Sequence, residues 1–195
     1  ATSSILEAIE YYRLFRDEHP NMAVTALFDP TIDNTGEAQL DKEDGLVEIL
    51  EDYNASFGQS FTMSTHALFK ADVSNRLAHT APSNPSAFTK DKQLNLLIVV
   101  DPMLTGFGSK WLNTLYLDKV IEYESVIQAF SRTNRLFGPD KPFGSIRYYR
   151  KPWTMKQNIA KAVELYSGNK PLGLFVDHLD DHLEAINECF GKIQK

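Results

Sequence analysis

The sequence predicts an α/β domain with a mainly parallel sheet flanked by helices, followed by a helical extension. Three observations carry this. Residues 94–100 (LNLLIVV) are apolar almost throughout, as a strand covered on both faces must be. Other short apolar runs alternate with stretches of helical spacing. Beyond Pro152 only helical patterns follow.

The elements follow in order. Residues 3–18 place Ile5, Leu6, Ile9, Tyr12 and Leu14 among Glu, Arg and Asp at helical spacing, and Pro20 with Asn21 ends that helix. Residues 22–28 (MAVTALF) read as a buried strand. Asp, Pro, Asn and Gly cluster in residues 29–36, which marks a loop. Helical spacing returns over residues 41–56 and again over 64–79, where Ser64 or Thr65 caps a face carrying Leu68, Phe69, Val73 and Leu77. Residues 80–92 have the Pro, Ser, Asn and Lys content of a surface connection. Strands are predicted at 94–100, 113–118 and 145–150, and helices at 121–136, 154–167 and 172–191. No internal repeat or low-complexity segment interrupts the pattern. The expected division is a domain over residues 1–152 and a helical extension over 153–195.

Composition narrows the class. At 195 residues, 43% hydrophobic and 24% charged, the chain is ordinary globular material. It can bury a full core without covalent staples. Its one cysteine, Cys189, allows no internal disulfide and fits a reducing compartment. No apolar run nears the ~20 residues a spanning helix needs, and no signal-peptide pattern opens the chain. The reading is a cytoplasmic protein with no membrane partner. Starting at Ala1, and helical almost at once, it reads as a piece of a longer protein. The net charge of −6 argues against a simple nucleic-acid coat. The charge is uneven, however: residues 110–161 hold 10 Lys and Arg against 4 Asp and Glu, a local zone able to meet phosphates.

Two segments bear on chemistry. Gln128, Arg132 and Arg135 are spaced to share one face of the helix expected over 121–136. Two guanidiniums on one face form a clamp for phosphate oxygens. The plain alternative is a solvated face, and Arg-x-x-Arg alone favours it. The second segment follows the strongest strand: Asp101-Pro-Met-Leu-Thr105-Gly106-Phe107. Ligands of open α/β sheets bind beyond the carboxyl ends of strands, where a Thr hydroxyl and a close backbone approach at Gly are useful.

Together these segments resemble motifs V and VI of superfamily 2 helicases, with Ser131 and Asn134 replacing the usual motif VI glycines. The wider text is more specific. LLIVVDPMLTGFGSKWLNTLYLDK and EYESVIQAFSRTNRLFGPDKPFGSIRYYRKP closely resemble the motor part of the restriction (R) subunit of type I restriction–modification enzymes. The resemblance is dense from Arg76 to Pro152 and thinner over residues 5–75. It implies the second RecA-like domain, of P-loop NTPase type, in an ATP-driven motor that moves double-stranded DNA before cleavage. Arg132 and Arg135 would then face the γ-phosphate as catalytic groups. Gln128, Gly106 and Asp101 would serve the nucleotide, and Thr105 the DNA. ATP and Mg2+ would be held mainly by a first RecA-like domain, which also carries the phosphate-binding loop. Double-stranded DNA and the methylation and specificity subunits are the implied partners. The chain alone is expected to be inactive, because no phosphate-binding loop occurs in it: Gly106-Phe-Gly108-Ser-Lys110 lacks the required spacing and Trp111 follows the lysine.

One departure stands out. Gly108 occupies the position where the family carries Asp in motif V. It supports a competing reading, a subunit-docking module with a degenerate motor surface; another superfamily 2 helicase is a third. Other features read as ordinary surface. His178 and His182 lie one helical turn apart without further ligands. Asp41, Glu43, Asp44, Glu48, Glu51 and Asp52 are expected to be a solvated acidic face. Strand alternation puts Tyr148 and Tyr149 on opposite faces, one of them core.

Overall fold

The computed structural model describes residues 1–29, 38–80, 92–100, 109–135, 138–139 and 141–167, and only the backbone of 38–40. The elements are α1 (Ile5–Glu18), β1 (Val24–Leu27), α2 (Ala38–Phe57), α3 (His66–Ala78), β2 (Leu96–Val99), β3 (Thr114–Leu117), α4 (Glu124–Thr133), β4 (Ser145–Tyr148) and α5 (Pro152–Ser167). The α/β class is borne out, and both strand pairs are parallel. Strand β1 pairs with β2 from Val24↔Leu96 to Leu27↔Val99. Strand β3 pairs with β4 from Thr114↔Ser145 to Leu117↔Tyr148.

Local chemistry explains the boundaries. At the start of α1 the Ser4 hydroxyl accepts from the Glu7 N–H at 3.2 Å, while the Glu7 carboxylate reaches back to the Ser3 N–H and hydroxyl at 3.0 and 2.7 Å. Helix α5 starts at Pro152, two residues earlier than its apolar pattern suggests. Proline fits there because a first-turn N–H has no helical partner to lose. Helix α4 is shorter than the expected 121–136. Its N-terminus is set by a backbone reversal at Tyr123, φ +48°, and it closes at Thr133.

Two cores result. The larger joins α1, α2 and α3 to both faces of β1 and β2, with Leu27, Phe28, Leu46, Ile49 and Phe69 fully buried. Helices α1 and α2 pack closely at Gly45, where any side chain would run into Ile9. The smaller core sets α4 and α5 on one face of β3 and β4 through Leu117, Val126, Ala129 and Met155. The opposite face of this pair is uncovered at Tyr116 and Tyr149, whose rings stack with centroids 6.4 Å apart.

The acidic face of α2 is not simply solvated. Glu48 and Asp52 accept from Arg16 at 2.6 and 2.9 Å, Glu48 also pairs with Arg13, and Asp52 accepts from the Tyr12 hydroxyl at 2.7 Å. Helical spacing identified the face but not the arginines of α1 standing opposite it. Asp41, Glu43, Asp44 and Glu51 are exposed, as expected.

The two strand pairs meet through the first two residues. The Thr2 N–H donates to the Val99 carbonyl at 2.9 Å, forming a parallel bridge with Val100. On the other side the Asp118 N–H donates to the Ala1 carbonyl at 2.8 Å, and the Ala1 nitrogen donates to the Tyr116 carbonyl. Side chains reinforce the joint. Arg150, just past β4, donates to the Ser3 hydroxyl at 2.8 Å, Glu7 at 2.9 Å and Asp118 at 3.1 Å. Tyr11 donates to the same Asp118 carboxylate at 2.9 Å.

Hydrogen bonds from Ser3, then the Arg150 guanidinium, hold the Glu7 carboxyl down from 4.5 to about 2. A carboxylate depressed by folding adds stability that is complete above its ordinary pKa and is lost as pH falls through the folded value. Glu7→Gln is therefore expected to flatten the fall in melting temperature between pH 4.5 and 2 relative to the parent chain. An unchanged acid profile would remove Glu7 from the joint.

Candidate functional site

The site begins with α4. Val126, Ala129 and Thr133 are buried, spaced three and four apart, so the helix turns one face to the second core. Gln128 and Arg132, four apart, lie on the outer side: Gln128 is exposed and Arg132 half-exposed. Arg135 is exposed and sits two residues past the end of the helix. The expected three-residue face is thus two residues on the helix and one beyond it. The Asn134 backbone stays in the right-handed helical region at φ −74°, ψ −1°, so the chain enters Arg135 without a sharp reversal.

A single close approach fixes this end of α4. A side chain at Gly144 would collide with the Thr133 carbonyl and Cβ. Gly144 immediately precedes β4, so the arginine end of α4 is held against the amino-terminal edge of the β3–β4 pair. Lys141 supports the same corner: it is buried, and its Nζ donates to the Leu112 carbonyl at 2.7 Å. Burial lowers its pKa.

The other expected site residues, Asp101, Thr105 and Gly106, lie outside the described residues, as does Gly108. Their neighbours on either side are described. Val100 leaves the carboxyl edge of the sheet, and Ser109 is buried ahead of the amino end of β3. Val100 thus lies at the edge opposite the Thr133–Gly144 contact. The strands between the two edges are four residues long, about 13 Å. His178 and His182 also lie outside the described residues.

The basic zone divides by role. Arg150 is committed to Glu7 and Asp118, and Lys141 to Leu112. Arg147 and Lys151 are exposed. The Tyr148–Tyr149 pair splits as alternation requires: Tyr148 packs against the second core and Tyr149 faces outward. Among the described residues no group of three or more His, Cys, Asp and Glu could hold a metal ion. Among them also, no helix is long and apolar enough to cross a membrane.

Sequence reasoning missed Gly144 and the Arg150 joint. A glycine directly ahead of a predicted strand was a usable signal for the first. Nothing local announces the second, whose partners are 32 to 147 residues away in the chain.

Comparison with known proteins converges on one group. The profile of a family described as "Type I restriction enzyme subunit R domain 3" matches residues 1–151. A type I restriction enzyme endonuclease subunit of Staphylococcus aureus strain COL is 36% identical over 171 residues, covering 84% of this chain and 17% of the relative. One from Staphylococcus saprophyticus is 38% identical over 173 residues, with the same coverage. A putative one from Methanocaldococcus jannaschii is 44% identical over 59 residues, covering 30% of this chain and 5% of the relative. The chain thus spans about a sixth of the staphylococcal relatives it matches.

The corner at Gly144 is directly testable. Gly144→Ala is expected to cost about 1–3 kcal/mol in denaturant unfolding, the range for an atom forced into a packed contact. A variant as stable as the parent would show that the Thr133 contact does not fix the end of α4.

Proposed function

The chain belongs to the family of type I restriction enzyme R-subunit domain 3, and from that premise we propose that it is the second RecA-like half of a DNA-translocating ATPase motor. The observation that carries this is the Gln128-x-x-x-Arg132-x-x-Arg135 series, set on the outer side and end of α4 with Thr133 wedged against Gly144. Guanidiniums on a buttressed end suit a finger that reaches a nucleotide held by another domain. Such a group acts by stabilising charge on the transferring phosphoryl oxygens, and geometry decides its value.

In this reading Arg132 and Arg135 supply the cation to the γ-phosphate, and Gln128, one turn earlier, aligns the nucleotide. Gly106 and Asp101 complete the nucleotide side and Thr105 meets the DNA backbone. ATP and Mg2+ reside mainly on the partner RecA-like domain, which contributes the phosphate-binding loop. Its opening and closing against this domain moves the duplex. The methylation and specificity subunits join the same complex.

The test is DNA-stimulated ATP turnover of the full-length subunit. Arg135→Ala is expected to lower turnover by roughly 10³-fold or more, the scale of a lost arginine finger, with the variant's melting temperature as the control on its fold. Near-normal turnover would overturn the finger role of Arg135. Gly108 in place of the motif V aspartate supports the competing docking-module reading, which a large gain in translocation by the Gly108→Asp full-length subunit would favour and no change would not.

A further inference from the structure

Helix α5 lies beyond residue 151, where the family match ends, yet it builds the second core together with α4. Met155 and Ala162 are fully buried there, and Ile159 packs beside them. One residue on this buried side of α5 is polar. Asn158 is 8% exposed; its Nδ2 donates to the Ile121 carbonyl at 3.1 Å and reaches the Glu122 carboxylate at 3.4 Å. Asparagine is a poor helix former, and a polar group in a core is costly unless it is hydrogen-bonded. A carbonyl and a carboxylate only accept, so the amide turns its donating end to them.

What Asn158 touches is the entry to α4. The Ser125 N–H donates to the Glu122 carbonyl at 3.1 Å, closing a four-residue turn over 122–125. The second residue of that turn, Tyr123, has φ +48° and ψ −124°. This is the first central position of a type II′ turn, which glycine adopts freely and a bulky side chain does not. The Tyr123 carbonyl then accepts from the Val126 N–H at 3.1 Å, and the helix is under way. The direction of α4 is thus set by a strained turn, and such strain persists only where the surroundings hold it. The Tyr123 side chain is exposed, so its burial does not offset the strain. Asn158 holds the two residues directly ahead of it.

Helix α4 has ten residues and is fixed at both ends. Gly144, ahead of β4, receives Thr133, and Asn158 of α5 holds Ile121 and Glu122. Gln128 lies one turn inside the start and Arg132 two turns. We propose that Asn158 is a positioning residue for Gln128 and Arg132: through this one amide α5 holds the turn at Tyr123 and so sets how the outer side of α4 is presented. The motor unit then runs to the end of α5 rather than to residue 152. The effect on turnover rests on the motor reading of α4; the hold on the turn does not.

The test compares full-length subunits. Asn158→Leu keeps the bulk and removes the donor. Exchange of the Ser125 and Val126 amides should rise at least ~10-fold while the β3 amides stay protected. DNA-stimulated kcat should fall at least ~10-fold, the scale of a small misplacement. The KM for ATP should stay within about twofold, because the lost alignment acts on the transition state rather than on nucleotide binding. Adding Tyr123→Gly should restore most of the turnover, since glycine makes the same turn unaided. A residue that only stabilised the core would gain nothing from that glycine. If Asn158→Leu does not fold, Asn158→Ala replaces it with the same readouts. Unchanged exchange, unchanged kcat or no rescue by the glycine overturns the proposal. Arg132→Ala measured alongside separates it from the motor reading. Loss of turnover there with a normal Asn158→Leu subunit sinks Asn158 alone, whereas normal turnover there removes the group that Asn158 would position.

Discussion

The architecture depends on two residues of backbone. Ala1 and Thr2 are the only main-chain link among the described residues between the β1–β2 and β3–β4 pairs, and they bond to both sides in the same parallel sense. The second core and the Thr133–Gly144 contact position α4 on β3 and β4, and this link joins that unit to β1 and β2. Arg150 adds a charged clamp where β4 ends, drawing Ser3, Glu7 and Asp118 together. A guanidinium suits the task because its planar fork meets several acceptors at once. Carboxylates of α1 and of the residue after β3 thereby share one cation, and the two strand pairs with their cores are tied at one joint.

The consequence for function runs through a chain of contacts. The joint sets β3 and β4, β4 carries Gly144 at its entry, and Gly144 accepts the end of α4 at Thr133. A finger that works by placing charge loses most of its value when displaced by an ångström. A helix wedged against a strand suits such a group better than a free loop. In the motor reading proposed above, this is the end of the domain that would meet the nucleotide.

How much of this could be read from the sequence varied with the range of the signal. Residues 94–100 announced a buried strand because burial on both faces leaves a continuous apolar run, and α1 was legible from spacing and its Pro20–Asn21 stop. The Gln128 and Arg132 positions were legible because i, i+4 spacing means the same thing in any helix. Arg135 was not, since the end of α4 is decided by Gly144 across space. Glu48 and Asp52 were read as solvated because a helix pattern reports which residues share a side, not what opposes them. The pairing of Ala1 and Thr2 was invisible, because two residues carry no periodicity. Asp101, Thr105 and Gly106 were picked out by following a strand, and they lie outside the described residues.

The central claim is that Ala1, Thr2 and Arg150 join the two strand pairs into one cooperative unit. Native-state hydrogen exchange of the full-length subunit across a denaturant series tests it most directly. If the joint holds, amides of β1 and β4 open with the same free energy and the same denaturant dependence. If β4 opens well before β1, with a smaller slope, the pairs are separate cooperative units and the account fails.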